Sequence, residues 1–254
     1  MNEADAQGYH WTFGDHSHIG HALAERGVYE PTGTEAVVRL VKPGQTFVDV
    51  GANIGYYSLI AAMAMKGDGQ VDAYEPDPAN SRFLNENIMA NGIDDIVSPY
   101  RVALSNERGT LPLCFCKKND GDHRVYESDE SREVIQVPAF KGDDIYKNEQ
   151  VDFIKCDVQG WDGFVLDGFK RVIERSDRLI IMVEFWPWGL NASGYGAEAF
   201  LNRLEGFGFS MHTMSRGKTL IKPADSRDLH KFAKMSDHWA YTNLLCLKDG
   251  WGIE

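Results

Sequence analysis

The stretch Thr46-Phe-Val-Asp-Val-Gly-Ala-Asn-Ile-Gly-Tyr-Tyr-Ser58 sets the tightest limit on what this chain can fold into. Phe47, Val48 and Val50 read as a short buried strand. Gly51 and Gly55 bracket a turn where backbone bends sharply and meets a ligand without Cβ interference. Ser58 to Met65 follows, with helix-favouring residues and apolar positions at three- and four-residue spacing. Strand, glycine turn and helix form a cofactor cradle. Asp49 lies at the carboxyl end of the strand, where ligands bind in open α/β sheets.

Strand-like and helix-like runs alternate from there on. Gln70 to Glu75 predicts a second strand, and Asp77-Pro78 opens a helix to about Ala90. Ile96 to Leu104 predicts a third strand. Thr110 to Phe115 and Val134 to Phe140 predict a hairpin around the polar stretch Lys117 to Glu133. Val151 to Asp157, Leu179 to Phe185, Phe209 to Met214 and His238 to Leu247 predict four more strands, with helices at Trp161 to Arg175, Ala197 to Leu204 and Leu229 to Met235. The β/α alternation predicts a mainly parallel sheet with right-handed crossovers. A single domain over 1–254 is expected: an N-terminal helical cap (1–45), an α/β core (46–247) and a hairpin insertion at about 109–141. In the cap, His16 to Arg26 reads as a helix ended by Gly27, and Thr34 as the N-cap of a second helix to Val41.

Charge narrows the partners. A net charge of −12 and a pI near 5.1 argue against a nucleic-acid backbone as ligand. The N-terminus lacks the basic and apolar regions of a signal peptide, and no apolar run approaches the ~20 residues that span a bilayer. No membrane partner and a cytoplasmic location are therefore expected. Cys114, Cys116, Cys156 and Cys246 form no Cys-x-x-Cys pair, so they read as reduced core thiols, and no metal site is expected.

Two nucleotide cofactors use such a cradle. A nicotinamide site calls for Gly-x-Gly-x-x-Gly, whose middle glycine admits a pyrophosphate, and Asn53 stands at that position. Asp49 would repel a diphosphate but suits the ammonium of S-adenosylmethionine. Glu75 stands 24 positions after Gly51 (75 minus 51), close to the spacing at which an acid accepts hydrogen bonds from ribose hydroxyls. Backbone at Ala103-Leu104-Ser105 sits where it can face a base.

Asp49-Val-Gly-Ala-Asn-Ile-Gly-Tyr-Tyr-Ser58, Tyr74-Glu-Pro-Asp-Pro78, Ala103-Leu-Ser105, Asp152-Phe-Ile-Lys-Cys-Asp-Val-Gln-Gly160 and Val183-Glu-Phe185 together resemble the FkbM-type methyltransferases, over roughly residues 28 to 247. The resemblance implies a class I, Rossmann-like α/β fold. Its sheet has seven strands with the last antiparallel, and helices cover both faces. It also implies O-methylation of a hydroxyl on a small molecule, sugar or natural product. By the same resemblance Gly51, Asn53 and Gly55 surround the methionine part of the cofactor, with Asp49 near its amino group and Ser58 and Pro76 beside the site. Glu75 holds the ribose, Ala103 and Leu104 edge the adenine, and Glu30 closes over the cofactor from the cap. Asp157 matches the acid after the fourth strand. The family usually continues Glu-Gly and a further Glu, where this chain has Gln159-Gly160-Trp161-Asp162.

An alcohol acceptor must lose its proton as the bond to carbon forms. His123 in the inserted Gly121-Asp-His-Arg124 is the first expected base, with Asp157 and Glu184 as alternatives or as orienters of the acceptor. His238 is a further possibility. Trp161, Trp186, Trp188 and Trp239 offer aromatic faces for an acceptor ring or for core filling. A magnesium-assisted variant through Asp157 and Glu184, a non-catalytic S-adenosylmethionine-binding protein and an NAD-linked oxidoreductase remain as alternatives. Neither acceptor identity nor oligomeric state is legible.

Overall fold

In the computed structural model, residues 1–116, 119–126, 132–214 and 221–248 are described. The chain begins with an antiparallel hairpin, β1 (Asn2–Ala6) and β2 (Tyr9–Phe13), followed by α1 (His18–Arg26) and α2 (Pro31–Leu40). The hub follows as β3 (Gln45–Val50) and α3 (Tyr56–Met65), then β4 (Gly69–Tyr74), α4 (Pro78–Ala90), β5 (Val97–Tyr100) and β6 (Ala103–Leu104). The insertion supplies β7 (Gly109–Cys114) and β8 (Val134–Phe140). After it come α5 (Gly142–Ile145), β9 (Phe153–Cys156), α6 (Asp162–Gly168), α7 (Lys170–Arg175), β10 (Ile180–Phe185), α8 (Pro187–Ala192) and α9 (Ala197–Gly206). The chain continues through β11 (Ser210–Met214), β12 (Ile221–Pro223), α10 (Ser226–Ala233) and β13 (Thr242–Leu247).

The main sheet runs β12-β11-β13-β10-β9-β3-β4-β5. Strands β5, β4, β3, β9 and β10 are parallel, and β13 lies antiparallel between β10 and β11. This is the expected class I methyltransferase order, with the short β12 as an eighth strand on the edge. Alternate residues of the central strands feed separate cores. Val48, Val50, Ile181, Val183 and Phe185 pack into one cluster, and Phe47, Ile180 and Met182 into the other. Burial on both faces is why β10 is apolar at nearly every position.

Several expectations need correction. The cap is not helical alone, because residues 2–13 form the hairpin. Gln7 and Gly8 take left-handed conformations (φ 56° and 79°), as a two-residue hairpin turn requires. Its second strand is fastened to α4, since Asn87 Oδ1 and Asn91 Oδ1 accept from Thr12 N (2.7 Å) and His10 N (2.8 Å). Helix α2 starts at Pro31 rather than after Thr34, because proline pre-sets φ at the first helical position. The Thr34 hydroxyl instead donates to Tyr29 O (2.7 Å). The expected third strand splits: β6 leaves the main sheet and pairs in parallel with β8, giving a separate sheet β6-β8-β7. Of the loop expected over Lys117 to Glu133, residues 117–118 and 127–131 lie outside the described residues. The helix expected from Trp161 to Arg175 is two, broken at Phe169.

Candidate active site

A cavity of about 1150 Å³ opens at the carboxyl ends of β3, β4, β9 and β10, between the cap and the insertion. Its floor is the glycine turn. Gly51 N and Ala52 N both donate to Tyr74 O (3.0 Å each), which folds the turn against β4. Gly51 has φ 76°, and a Cβ there would stand 2.1 Å from Asp157 O, so glycine is required both for conformation and for close approach. Asn53 is left-handed at φ 53°, and its Oδ1 accepts from Ile54 N (2.8 Å). Among the described residues, three of the five non-glycine positions with positive φ, namely Glu30, Asn53 and Gln159, line this cavity, so backbone strain concentrates there.

Glu75 directly follows β4, which ends at Tyr74, one residue short of the strand end expected. Its Oε2 accepts from Asn53 N and its Oε1 from Asp77 N, both at 2.8 Å. Each oxygen keeps capacity to accept a further hydrogen bond, and Glu75 lines the cavity. Burial outweighs these bonds and pushes its carboxyl up to about 7. Pro76, Ala103 and Leu104 line the same end.

Asp49, Gly55 and Ser58 are not among the lining residues. Asp49 is fully buried beneath the turn. Its Oδ2 accepts from Ser58 Oγ (2.7 Å), and its Oδ1 faces Lys155 Nζ at 3.4 Å. Lys155 also donates to Gly51 O (2.8 Å). Asp49 therefore neutralises Lys155, which itself lines the cavity, and is set back from the surface where an ammonium would be met. Ser58 orients that carboxylate, and Gly55 (φ 93°) starts α3.

Acids from three elements meet at the other end. Glu30, from the cap, accepts from Tyr57 OH (2.7 Å) and Asn243 Nδ2 (3.2 Å). Asp157 directly follows β9 and Glu184 lies near the end of its parallel partner β10, and Gln159 Nε2 reaches both, at 2.8 Å to Asp157 Oδ1 and 3.4 Å to Glu184 Oε2. Burial first, then the charge of Asp157, raises Glu30 and holds Glu184 well above the ordinary carboxylate range. The same two causes push Asp162 up to about 7, where it accepts from Gly160 N (3.1 Å). Burial disfavours the Lys155 charge, but Asp49 and Asp157 outweigh it and hold its pKa above the usual lysine value. The cluster is thus short of positive charge.

His123 is placed otherwise than expected. Its Nδ1 accepts from Cys116 N (3.0 Å), so its proton sits on Nε2, which donates to Asp77 Oδ2 (2.9 Å). Asp77 is the N-cap of α4. Burial works to raise its pKa, but the hydrogen bond from His123 and the Asn80 and Ala79 amides hold it below the usual value. With both ring nitrogens engaged, His123 braces the insertion against the Glu75 end. Asp120 O reinforces the brace by accepting from Asn53 Nδ2 (3.2 Å) and Asn80 Nδ2 (2.9 Å).

Trp186 and Trp188 form a wall with His238, whose ring stands edge-on 4.3 Å from Trp188. Trp239 lies at the rim, 78% exposed. Sequence reasoning missed Lys155, Gln159 and Arg124. Lys155 was signalled by a cation inside the apolar run Phe153-Ile-Lys-Cys156, and Gln159 by its departure from the family's Glu. Among the described residues no disulfide forms, and Cys116 is only half-buried. Among the described residues, no group of three or more His, Cys, Asp or Glu has the geometry to hold a metal ion, and no helix is long and apolar enough to cross a membrane.

A sheet in the order β5-β4-β3-β9-β10-β13-β11, antiparallel only at β13, with a glycine turn after β3 and an acid after β4, is the class I S-adenosylmethionine-dependent methyltransferase fold. The chain belongs to the FkbM methyltransferases, since the family model for the Methyltransferase FkbM domain matches residues 49–211. A crystal structure of methyltransferase FkbM from Methylobacillus flagellatus superposes with a TM-score of 0.52 at 15% identity, covering 81% of this chain and 44% of that one, a likeness of fold. Ribosomal protein L11 methyltransferase of Bacillus cereus is 41% identical over 63 residues, 25% of this chain and 20% of that protein. A tRNA(Phe) (4-demethylwyosine(37)-C(7)) aminocarboxypropyltransferase of Pyrococcus horikoshii is 36% identical over 78 residues, 30% of this chain and 27% of that protein. The matches thus span about a fifth to a quarter of these curated relatives.

Proposed function

We propose that the protein is an O-methyltransferase whose acceptor is a small molecule or glycan hydroxyl. The observation that carries this reading is the Asp157–Gln159–Glu184 constellation on the cavity wall, in which buried Glu184 has a raised proton affinity. A carboxylate of that kind takes up a hydroxyl proton nearer neutral pH than an exposed one does.

The residues fit the cofactor. Glu75 retains acceptor capacity for a vicinal diol, Pro76, Ala103 and Leu104 border the space for a base, and the acids Glu30, Asp157 and Glu184 suit an ammonium. At about 1150 Å³ the cavity exceeds the usual range of roughly 300–1,000 Å³ for one ligand, leaving room for an acceptor beside the cofactor. When bound, S-adenosylmethionine supplies an activated methyl group on a sulfonium. Glu184 accepts the acceptor's hydroxyl proton, with Gln159 fixing the rotamers of Glu184 and Asp157. Glu30, held by Tyr57 and Asn243, closes the cap side. Positioning of this kind can contribute about 7–11 kcal/mol to lowering a barrier. His123 serves as the brace of the insertion, and Asp49 supports the turn through Lys155.

Titration calorimetry with S-adenosylmethionine, followed by mass spectrometry of native extract incubated with methyl-labelled cofactor, tests the reading. Label on a hydroxyl oxygen is expected. Glu184→Gln should lower kcat by about 100- to 10,000-fold while cofactor affinity stays within a few-fold. No cofactor binding, label only on nitrogen or carbon, or an unchanged kcat with chemistry limiting would overturn it.

A further inference from the structure

Arg124 lies 3% exposed on the cavity wall, opposite in charge to the acids of the same cavity. Its backbone is fixed by paired bonds to Cys114, with Cys114 N donating to Arg124 O (2.7 Å) and Arg124 N to Cys114 O (3.1 Å). Its side chain is fixed too. Nε and Nη2 donate to the two oxygens of Asp122 (2.8 and 3.1 Å), and the guanidinium carbon stands 5.0 Å from the Trp186 ring and 5.2 Å from the Trp188 ring. Asp122 is shared, because its Oδ2 also accepts from Arg132 Nη2 (2.9 Å). Among the described residues, the hydrogen bonds of the Arg124 guanidinium use Nε and Nη2, which leaves the Nη1 edge of the fork for a ligand.

We propose that the tryptophan wall is a subsite for an anionic group, a carboxylate or a phosphate, carried by the methyl acceptor, and that Arg124 recognises it. The proposal rests on the O-methyltransferase reading and specifies its substrate class. Three observations support it. A buried guanidinium on an immobile backbone is pre-organised for oxyanions and gives up little entropy on binding. The aromatic faces beside it shelter the charge pair from water and provide a surface for the acceptor skeleton. Arg124 also shares one cavity with the acids Glu30, Asp157 and Glu184, so that cavity offers both signs of charge to one ligand. Tyr126, two residues after Arg124, donates its hydroxyl proton to Gln159 O (2.8 Å), which ties this segment to the residue that holds Asp157 and Glu184. An acceptor with an anionic end and a hydroxyl end is thereby oriented: Glu184, Asp157 and Glu30 repel the anion while Arg124 attracts it, which turns the hydroxyl toward Glu184.

The test is titration of the protein loaded with S-adenosylhomocysteine, followed by tryptophan fluorescence. The probes are glucuronate, glucose 6-phosphate and the neutral methyl glucoside. At least one anion should bind about tenfold or more tighter than the neutral ring, and which one does separates carboxylate from phosphate recognition. Arg124→Gln should reduce that preference to about twofold or less, and Arg124→Lys, which keeps the charge without the fork, should restore part of it. Cofactor titration of each variant confirms an intact fold. Equal binding of neutral and anionic probes by the wild type, no saturable binding of either anion with cofactor binding intact, or an unchanged preference in Arg124→Gln overturns the subsite and leaves the methyltransferase reading standing. Failure of the wild type to bind the cofactor overturns both.

Discussion

Replacing Lys155 with methionine keeps most of the side chain's volume and removes its charge. In the wild type, Nζ sits 2.8 Å from Gly51 O and 3.4 Å from Asp49 Oδ1, with both side chains almost wholly out of solvent. Methionine leaves the Asp49 carboxylate buried with Ser58 Oγ as its hydrogen-bond donor (2.7 Å). Breaking a buried ion pair from one side typically costs about 3–5 kcal/mol. At roughly 2–4 °C per kcal/mol for a chain of this size, the melting temperature should fall by about 6–20 °C. Asn at position 49 still accepts from Ser58 and carries no charge, so Asp49→Asn combined with Lys155→Met should recover more than half of the loss. Calorimetric melts and urea titrations of the two single variants, the double variant and the wild type give the coupling energy, expected at about 2–3 kcal/mol. A cost below about 1 kcal/mol for Lys155→Met, or strictly additive single effects, refutes the buried-pair reasoning. So does an Asp49→Asn variant that melts like wild type but loses cofactor affinity, because that outcome returns Asp49 to the ammonium.

Three further outcomes are expected. Gly51→Ala would place a Cβ 2.1 Å from Asp157 O at φ 76°, and should both lower the melting temperature and abolish cofactor binding by calorimetry, since the turn and Asp157 must part. Asp162 is raised from 3.8 to about 7, so its contribution to stability is fully present below pH 3.8 and lost as pH rises toward 7; relative to wild type, Asp162→Asn should therefore be more stable at pH 8 than at pH 5 in urea titrations. His123→Ala should raise amide hydrogen exchange over residues 113–126 and weaken cofactor binding while the acidic limb of the kcat profile stays put; disappearance of that limb would make His123 the base after all.

The features legible in the sequence are local ones. The glycine turn, the strand-end acid at Glu75 and the β/α alternation each lie within a few residues, so backbone propensity and spacing suffice to place them. Asp49 misled because strand-end position was weighed without side-chain parity. It shares a sheet face with Phe47, beneath α3, whereas the cavity begins at Val50 and Gly51. The role of His123 depends on Asp77, 46 positions earlier (123 minus 77), and no local pattern encodes that meeting. The cap hairpin was missed although Gln7-Gly8 is turn-like and Trp11 and Phe13 alternate, because the polar first strand offers no apolar period. Arg124 was hidden by an acidic neighbourhood that reads as a solvated loop until Trp186 and Trp188 are folded over it.

The insertion touches the cavity at two places: His123 and Asp120 fasten it beside Glu75, and Arg124, the residue after His123, stands at the tryptophan wall. A single segment that contributes to both proposed binding places couples their free energies. By linkage, whatever factor the first ligand contributes to the affinity of the second, the second returns to the first. Order of addition then changes the kinetics of assembly and leaves the stability of the ternary complex untouched.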